Sequence, residues 1–230
     1  MSTVLVTGAS RGIGLALTTA YAERGDTVLA CCRAPNDAAP LQALAARHLV
    51  TVLALRVDDA ESVAALARQL ASATLDILIN NAGVSGGPLE SQTATTMDFG
   101  AWAEAFAVNT MGPVRVMQAL LPQLHRARSP KVVSITSQLG ALSLDLTLAY
   151  GYSSTKAALN KFMRLAAADL KPRGIAVGLI HPGWVKTDMG GTGAEITPAT
   201  SAAGIVNVVD ELTLDTTGRF WKWNGEPHDW

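Results

Sequence analysis

The chain has little net charge and no long apolar run. Its 230 residues carry 18 Lys and Arg against 19 Asp and Glu, which gives a formal net charge of −1. A balance this close to zero offers no electrostatic attraction to nucleic acid or to an anionic membrane. No apolar stretch reaches the roughly 18 residues of a membrane span, and no basic segment followed by an apolar run marks a signal peptide. We therefore expect a cytoplasmic protein with no nucleic-acid or membrane partner.

Cysteine is also scarce, since the chain contains two, Cys31 and Cys32. They are adjacent in an apolar segment that predicts a strand over 27–32. Neighbouring residues of a strand point to opposite faces, so the pair is typical of two buried hydrophobic side chains rather than of a disulfide or a ligand pair. No metal site is expected.

The chain has no linker, internal repeat or low-complexity tract, and 230 residues with 49% hydrophobic content suffice for one large core. We predict a single domain over 1–230. Apolar runs alternate with helical patterns, which indicates an α/β protein with a doubly wound parallel sheet of about seven strands flanked by helices. The predicted strands are 3–7, 27–32, 50–55, 76–80, 131–136, 175–181 and 218–223. The predicted helices are 12–24, 39–47, 60–72, 98–110, 111–127, 151–170 and 199–210.

Three glycines stand where the first predicted strand turns into the first predicted helix. Gly8, Gly12 and Gly14 follow the spacing Gly-x3-Gly-x-Gly. Glycine there lets the backbone approach a pyrophosphate and adopt dihedral angles that other residues avoid, while the helix N-terminus offers unpaired N–H groups. The pattern favours a dinucleotide site, and a plain tight turn is the alternative.

A tyrosine and a lysine four residues apart form the second signal. Tyr152 and Lys156 fall in the predicted helix 151–170, where residues at this spacing share one face. A fixed ammonium beside a phenol favours the phenolate and lowers the tyrosine pKa. The pair is typical of a proton-transfer site, and a surface Tyr/Lys pair is the alternative.

Four further motifs accompany these two signals in a fixed order. In chain order the six segments are Thr7–Gly14, Asn80–Gly83, Asn109, Ser137 in its Ile-Thr-Ser run, Tyr152 with Lys156, and His181–Thr187. On these segments the chain resembles the short-chain dehydrogenase/reductase family from Val4 to about Asp188, and this resemblance implies a Rossmann-type fold and a single dinucleotide-binding and catalytic domain over 1–230.

The resemblance implies roles for the catalytic residues. Tyr152 would exchange a proton with the substrate oxygen, Lys156 would lower the tyrosine pKa and hold the nicotinamide ribose, and Ser137 would orient that oxygen. Ser137 lies 15 positions before Tyr152, slightly more than is usual in the family, and Ser134 is the second candidate. Asn109 would organise a water path to the lysine, and a polar residue at a helix break is its alternative reading.

The coenzyme is expected to be NADP (NADPH) in preference to NAD. A ribose 2′-hydroxyl favours a carboxylate and a 2′-phosphate favours a guanidinium. Arg33 follows the second strand with no acid there, Arg11 lies in the glycine turn, and Asp26 is at the wrong end of the sheet; either arginine could instead be a solvated surface charge. Arg56 stands where the family usually has an aspartate at the adenine. The other predicted cofactor contacts are Gly8, Ser10, Gly12, Ile13, Gly14, Val57, Asn81, Ala82, Gly83, Tyr152, Lys156, Pro182, Gly183, Val185 and Thr187.

The remaining expectations concern the substrate and partners. The ending, residues 220–230, is similar to that of the C-factor-like and sniffer-like carbonyl reductase branch. The family implies a homodimer or homotetramer, and a monomer is the alternative. The loops 83–100 and 189–198 lie where strands end. The second occupies the position of the family's substrate lid, and an irregular surface connection is its alternative. The function that follows is an NADP-dependent oxidoreductase acting on a small carbonyl or secondary alcohol, and the alternative is a nucleotide-binding signalling or regulatory protein.

Overall fold

Seven parallel strands form the centre of the molecule in the computed structural model, which describes residues 1–230. The sheet order is β3-β2-β1-β4-β5-β6-β7, and every pairing is parallel. The predicted sheet is confirmed, and each predicted strand lies within two residues of the observed one. The strands are β1 Thr3–Thr7, β2 Thr27–Cys32, β3 Val50–Ala54, β4 Ile77–Asn80, β5 Lys131–Ile135, β6 Ala176–His181 and β7 Phe220–Lys222.

Eight α-helices cover the two faces of this sheet. They are α1 Gly12–Glu23, α2 Ala39–Ala45, α3 Ala60–Gln69, α4 Phe99–Phe106, α5 Gly112–Ala119, α6 Leu121–Leu124, α7 Tyr150–Leu170 and α8 Pro198–Glu211.

The middle of the chain departs from the two predicted helices 98–110 and 111–127. A π-helical turn, Ala107–Met111, joins α4 to α5, and the second predicted helix is divided into α5 and α6. Pro113 and Pro122 each lack the N–H that would donate to the carbonyl four residues earlier, so the regular hydrogen-bond ladder is interrupted at both places.

The sheet is buried on both sides by cores of nearly equal size. One core of 26 buried residues includes side chains of α3, α5 and α7, and the other of 25 includes side chains of α1, α2 and α8. This double burial explains why the strands are nearly continuous apolar runs. Cys31 belongs to the first core and Cys32 to the second, and both are free thiols, as the alternation of a strand predicted.

The strand order reverses direction between β1 and β4. The connections that leave these two strands go to opposite faces of the sheet, which opens a crevice beyond their carboxyl ends. The predicted site residues follow these strands and their neighbours. No helix combines the length and the apolar character that crossing a membrane requires.

Candidate active site

A cleft of about 930 Å³ occupies this crevice. Its walls are the turn between β1 and α1, the ends of β2 to β5, the face of α7 that carries Tyr152, and the segment after β6. Most predicted site residues line it: Gly8, Ser10, Arg11, Gly12, Ile13, Gly14, Arg33, Val57, Asn81, Ala82, Gly83, Tyr152, Lys156, Pro182 and Thr187. Asn109, Ser137, Gly183 and Val185 lie outside this lining.

The glycine turn forms a backbone cradle that side chains would fill. Gly8 and Gly12 have φ angles of +66° and +56°, in the left-handed region that favours glycine. A Cβ on Gly14 would run into the carbonyl oxygen of Gly8 and the side-chain amide of Asn81. The helix α1 begins directly at this cradle, so its first N–H groups face the cleft, which fits the pyrophosphate of a dinucleotide.

Asn81 connects this cradle to the turn after β4. Its Nδ2 donates to the carbonyl oxygens of Thr7 at 3.0 Å and Gly8 at 3.2 Å. The Thr7 hydroxyl in turn accepts from the backbone N–H groups of Asn81 at 3.0 Å and Ala82 at 3.1 Å. Asn81 therefore holds the two turns at a fixed distance. Thr7 is part of the matching segment Thr7–Gly14, but the sequence did not indicate that its hydroxyl would join the two turns.

Tyr152 and Lys156 enter the cleft from the first turns of α7. Lys156 is buried, its Nζ donates to the carbonyl oxygen of Ile135 at 2.9 Å, and it lies 5.7 Å from the centroid of the Tyr152 ring. Burial lowers the pKa of Lys156 to about 8 and raises the pKa of Tyr152 to about 12. The Ser137 hydroxyl acts in the opposite sense and lowers the Tyr152 pKa. We expected the Lys156 ammonium to lower the Tyr152 pKa, but it has no such effect in this structure.

Ser137 rather than Ser134 stands next to the tyrosine. Ser137 lies directly after β5, and its hydroxyl accepts from the Leu139 N–H at 3.1 Å. Ser134 lies inside β5, fully buried, and its hydroxyl has no hydrogen-bond partner.

Asn109 lies in the π-helical turn and is fully buried. Its Oδ1 accepts from the Val84 N–H at 2.8 Å, and its Nδ2 donates to the Val84 carbonyl at 2.9 Å and to the Thr155 hydroxyl at 3.0 Å. Asn109 therefore fastens the loop after β4 to α7. This contact accords with both readings of the residue, because it satisfies backbone groups and lies close to Lys156.

Three arginines lie at the end of the cleft that the adenosine half would occupy. Arg33 is exposed and makes no ion pair. Arg11 pairs with Asp188 at 2.7 Å, across from the glycine turn, and Arg56 pairs with Asp58 at 3.1 Å. Arg33 is therefore the guanidinium that is free to receive a new anion. Val57 contributes a buried side chain, and its carbonyl accepts from Arg115 at 2.8 Å.

The segment after β6 folds over the open side of the cleft. The Trp184 indole N–H donates to the Gly190 carbonyl at 2.8 Å, and Val185 forms a bridge with Ile196. Met189 and Thr197 line the cleft. The predicted loop 189–198 therefore lies beside the site, and α8 begins at Pro198.

Comparison with known proteins identifies the family. A family profile described as short chain dehydrogenase matches residues 2–195. The C-signal of Myxococcus xanthus is 38% identical over 167 residues, which cover 72% of this chain and 99% of that protein. Two solved structures are similar over the whole chain: the NADPH-bound carbonyl reductase from chicken fatty liver has a TM-score of 0.92 at 33% identity, and 99% of it is covered. The carbonyl reductase Sniffer of D. melanogaster has a TM-score of 0.93 at 28% identity, and 100% of it is covered. The chain therefore belongs to the short-chain dehydrogenase/reductase family of oxidoreductases, in the branch that contains C-signal and Sniffer.

Proposed function

We propose that the protein uses NADP(H) to interconvert a carbonyl compound and a secondary alcohol. The observation that carries this proposal is the meeting of Tyr152, Lys156 and the glycine turn in one cleft. A dinucleotide site alone would serve a binding protein. A phenol and an ammonium directed into the same cleft supply the proton transfer that carbonyl reduction needs.

In the direction of reduction, the Tyr152 phenol donates its proton to the carbonyl oxygen as a hydride reaches the carbonyl carbon. The hydride comes from the nicotinamide when the coenzyme is bound. Ser137 donates a hydrogen bond to the same oxygen and so orients the carbonyl toward the phenol. In the direction of oxidation, the phenolate takes the alcohol proton instead.

Lys156 serves the site by its position. Its ammonium is held near the ring by the Ile135 carbonyl, on the side of the cleft where Gly83 and Tyr152 meet. In this arrangement we propose that Lys156 donates to the nicotinamide ribose. Asn109 is proposed to keep this region in place through Thr155.

NADP(H) is the coenzyme that the charges favour. Arg33 is unpaired where a 2′-phosphate would lie, and Arg11 and Arg56 are close by in the same lining. The NADPH bound to the chicken carbonyl reductase supports the same choice. The coenzyme would be held by Gly8, Ser10, Arg11, Gly12, Ile13, Gly14, Arg33, Val57, Asn81, Ala82, Gly83, Tyr152, Lys156, Pro182, Gly183, Val185 and Thr187.

Replacing Tyr152 by Phe tests the proposal. Tyr152→Phe keeps the ring and removes the proton, so turnover of an accepted carbonyl compound should fall by about 100-fold or more, while NADPH still binds. The measurement is NADPH absorbance over a panel of aldehydes and ketones, with binding followed by nicotinamide fluorescence. Tyr150→Phe, two residues earlier on the same helix, is the matched control and should keep its turnover. Equal turnover in Tyr152→Phe and wild type would refute the proposed mechanism.

A signalling protein is the second candidate, favoured by the similarity to C-signal. In that case the protein should bind NADPH and reduce no carbonyl compound, and Tyr152→Phe should bind NADPH as tightly as wild type does. The same binding and turnover measurements separate the two candidates.

The assembly, the domain organisation and the location of the protein also belong to this proposal. We propose a single functional domain over 1–230 that acts in the cytoplasm as a homodimer or homotetramer. Sedimentation velocity at micromolar concentration measures the assembly directly.

A further inference from the structure

Gln92 is a buried side chain that joins two parts of the site. It follows a 3₁₀ turn, Leu89–Ser91, in the loop between β4 and α4, and it is only 1% exposed. Its Nε2 donates to the carbonyl oxygens of Ser85 at 3.0 Å and Gly87 at 2.8 Å. Its Oε1 accepts from the backbone N–H of Tyr152 at 3.0 Å. Both donors and the acceptor of the amide are therefore in use.

The helix that carries Tyr152 has no cap of its own. The residue before it, Ala149, has no side-chain oxygen and offers no cap hydrogen bond. The first N–H groups of a helix lack partners inside the helix and need them from elsewhere. Gln92 supplies two of these partners. Its backbone carbonyl oxygen accepts from the Tyr150 N–H at 3.3 Å, and its side-chain Oε1 accepts from the Tyr152 N–H at 3.0 Å.

A glycine in the first turn of α7 leaves the space that the amide occupies. A Cβ on Gly151 would lie 3.0 Å from the Gln92 Oε1, which is closer than an ordinary contact. The start of the helix is thus shaped around this side chain.

The loop that Gln92 braces continues directly from the turn that faces the coenzyme site. Gly83 lines the cleft, Val84 is held by Asn109, and Ser85 and Gly87 are held by Gln92. We propose that Gln92 is a positioning residue that sets where the Tyr152 phenol stands relative to the coenzyme side of the cleft. This inference rests on the proposed role of Tyr152, and it adds a residue that touches neither substrate nor coenzyme.

A glutamine is the side chain that this junction requires. A methionine of similar length loses all three hydrogen bonds. A glutamate keeps an acceptor for the Tyr152 N–H, but its second oxygen would face the carbonyl oxygens of Ser85 and Gly87, so both loop contacts would become repulsive. Small displacements of a reacting group lower rates steeply, so both changes should act on turnover more than on binding.

The test compares Gln92→Met with Gln123→Met. Gln123 is also buried, and its Nε2 also donates to two carbonyl oxygens, those of Ala67 and Leu70 at 3.2 Å each, but it lies on α6 away from the cleft. Each variant therefore loses two hydrogen bonds from a buried amide to backbone carbonyl oxygens, Gln92→Met beside the cleft and Gln123→Met away from it. Turnover is measured per NADPH-binding site, so that any unfolded protein does not enter the rate.

We expect Gln92→Met to lower kcat by about 10-fold or more and to move the pH profile of kcat, with KM and NADPH affinity within about threefold of wild type. Gln92→Glu should also lower kcat, and Gln123→Met should keep a wild-type kcat. A kcat within twofold of wild type in Gln92→Met overturns the proposal. If Gln92→Met does not fold, a wild-type kcat in Gln92→Glu overturns it instead. Failure of the proposed function is a separate result: it would be seen as unchanged turnover in Tyr152→Phe, a variant in which Gln92 is intact.

Discussion

The buried ammonium of Lys156 has a consequence for stability as well as for catalysis. Its pKa is about 8 in the folded protein, whereas a lysine in an unfolded chain titrates near 10.4. Between these values the unfolded chain binds more protons than the folded one, so the free energy of unfolding rises with pH. Below about pH 8 the lysine is charged in both states and contributes no pH dependence.

Lys156→Met should remove this rise. Between pH 8 and pH 10 the coenzyme-free wild type should gain about 2 kcal/mol relative to Lys156→Met, because one pKa unit corresponds to about 1.4 kcal/mol. Urea denaturation at pH 7, 8, 9 and 10 measures the difference. Lys161→Met, at an exposed position on the same helix, is the control, and its free energy of unfolding should depend on pH as that of wild type does. A Lys156→Met curve parallel to wild type would show that the lysine is not buried in solution.

A second prediction about a single residue concerns Arg33 and the preference for NADPH over NADH. Wild type should bind NADPH at least about tenfold more tightly than NADH, because a charge-assisted hydrogen bond is worth roughly 1.5 to 3 kcal/mol. Arg33→Asp should reverse the preference. Arg11→Ala should have a smaller effect, since Arg11 already pairs with Asp188.

Titration of both coenzymes by nicotinamide fluorescence checks this preference. Raising the salt concentration should reduce the difference in affinity between NADPH and NADH, because salt screens exposed charges. Arg128→Asp, just before β5 at the amino ends of the strands and so at the end of the sheet opposite the cleft, controls for net charge. If Arg33→Asp still prefers NADPH as strongly as wild type, Arg33 does not select the coenzyme.

At the scale of an element, the start of α7 carries backbone strain. Ala149 has a φ of +49°, the single non-glycine residue with a positive φ. A left-handed conformation costs an L-residue roughly 1 to 2 kcal/mol. Ala149→Gly should therefore raise the free energy of unfolding by up to about 1 kcal/mol, after the larger entropy of glycine in the unfolded chain is subtracted.

The same substitution inside the helix should have the opposite sign. Ala157→Gly lies two turns further along α7 and should lower the free energy of unfolding by about 1 kcal/mol. Chemical denaturation of both variants measures the pair. If Ala149→Gly is destabilised as much as Ala157→Gly, the turn before α7 is not left-handed in solution.

Elements with a clear period were predictable from the sequence. Strands β1, β2, β4, β5 and β6 are apolar runs that are buried on both faces, whereas the edge strands β3 and β7 are partly buried. Helix α7 follows from a long helical pattern with Tyr152 and Lys156 on one side. The π-helical turn and the break before α6 were not predictable, because a proline near a helix start is compatible with several outcomes.

In the site, sequence motifs indicated the residues but not their partners. The Arg11–Asp188 pair joins residues 177 positions apart, and the Gln92–Tyr152 bond joins residues 60 positions apart. Such contacts depend on how loops meet in space, which local periodicity does not contain. Gln92 in particular lies in a loop rich in Ser and Thr, where an exposed glutamine would give the same pattern.

At the scale of the whole molecule, the cleft is lined from both halves of the sheet and from α7. A coenzyme that binds only the folded state should therefore stabilise the protein as a unit. With NADPH at 100 times its Kd the gain is about 2.7 kcal/mol, which should raise Tm by about 5 to 10 °C for a chain of this length.

Gly14→Ala provides the control for this thermal shift. Its Cβ would meet the Gly8 carbonyl, so the cradle must open and most of the NADPH-dependent shift should be lost. Differential scanning calorimetry of both proteins, with and without NADPH, gives the comparison. A full shift in Gly14→Ala would mean that the coenzyme binds away from the glycine turn.

The strand order also governs how the nascent chain can fold as it leaves the ribosome. β1 pairs with β2 on one side and with β4 on the other, and β4 begins at Ile77, far along the chain from Thr7. At a synthesis rate of about 5 to 20 residues per second, one edge of β1 stays unpaired for several seconds after β1 itself has been made. An unpaired apolar strand edge is a template for wrong association. The central position of β1, which places the glycine turn in the middle of the cleft, therefore means that the cleft cannot form until β4 has been synthesised.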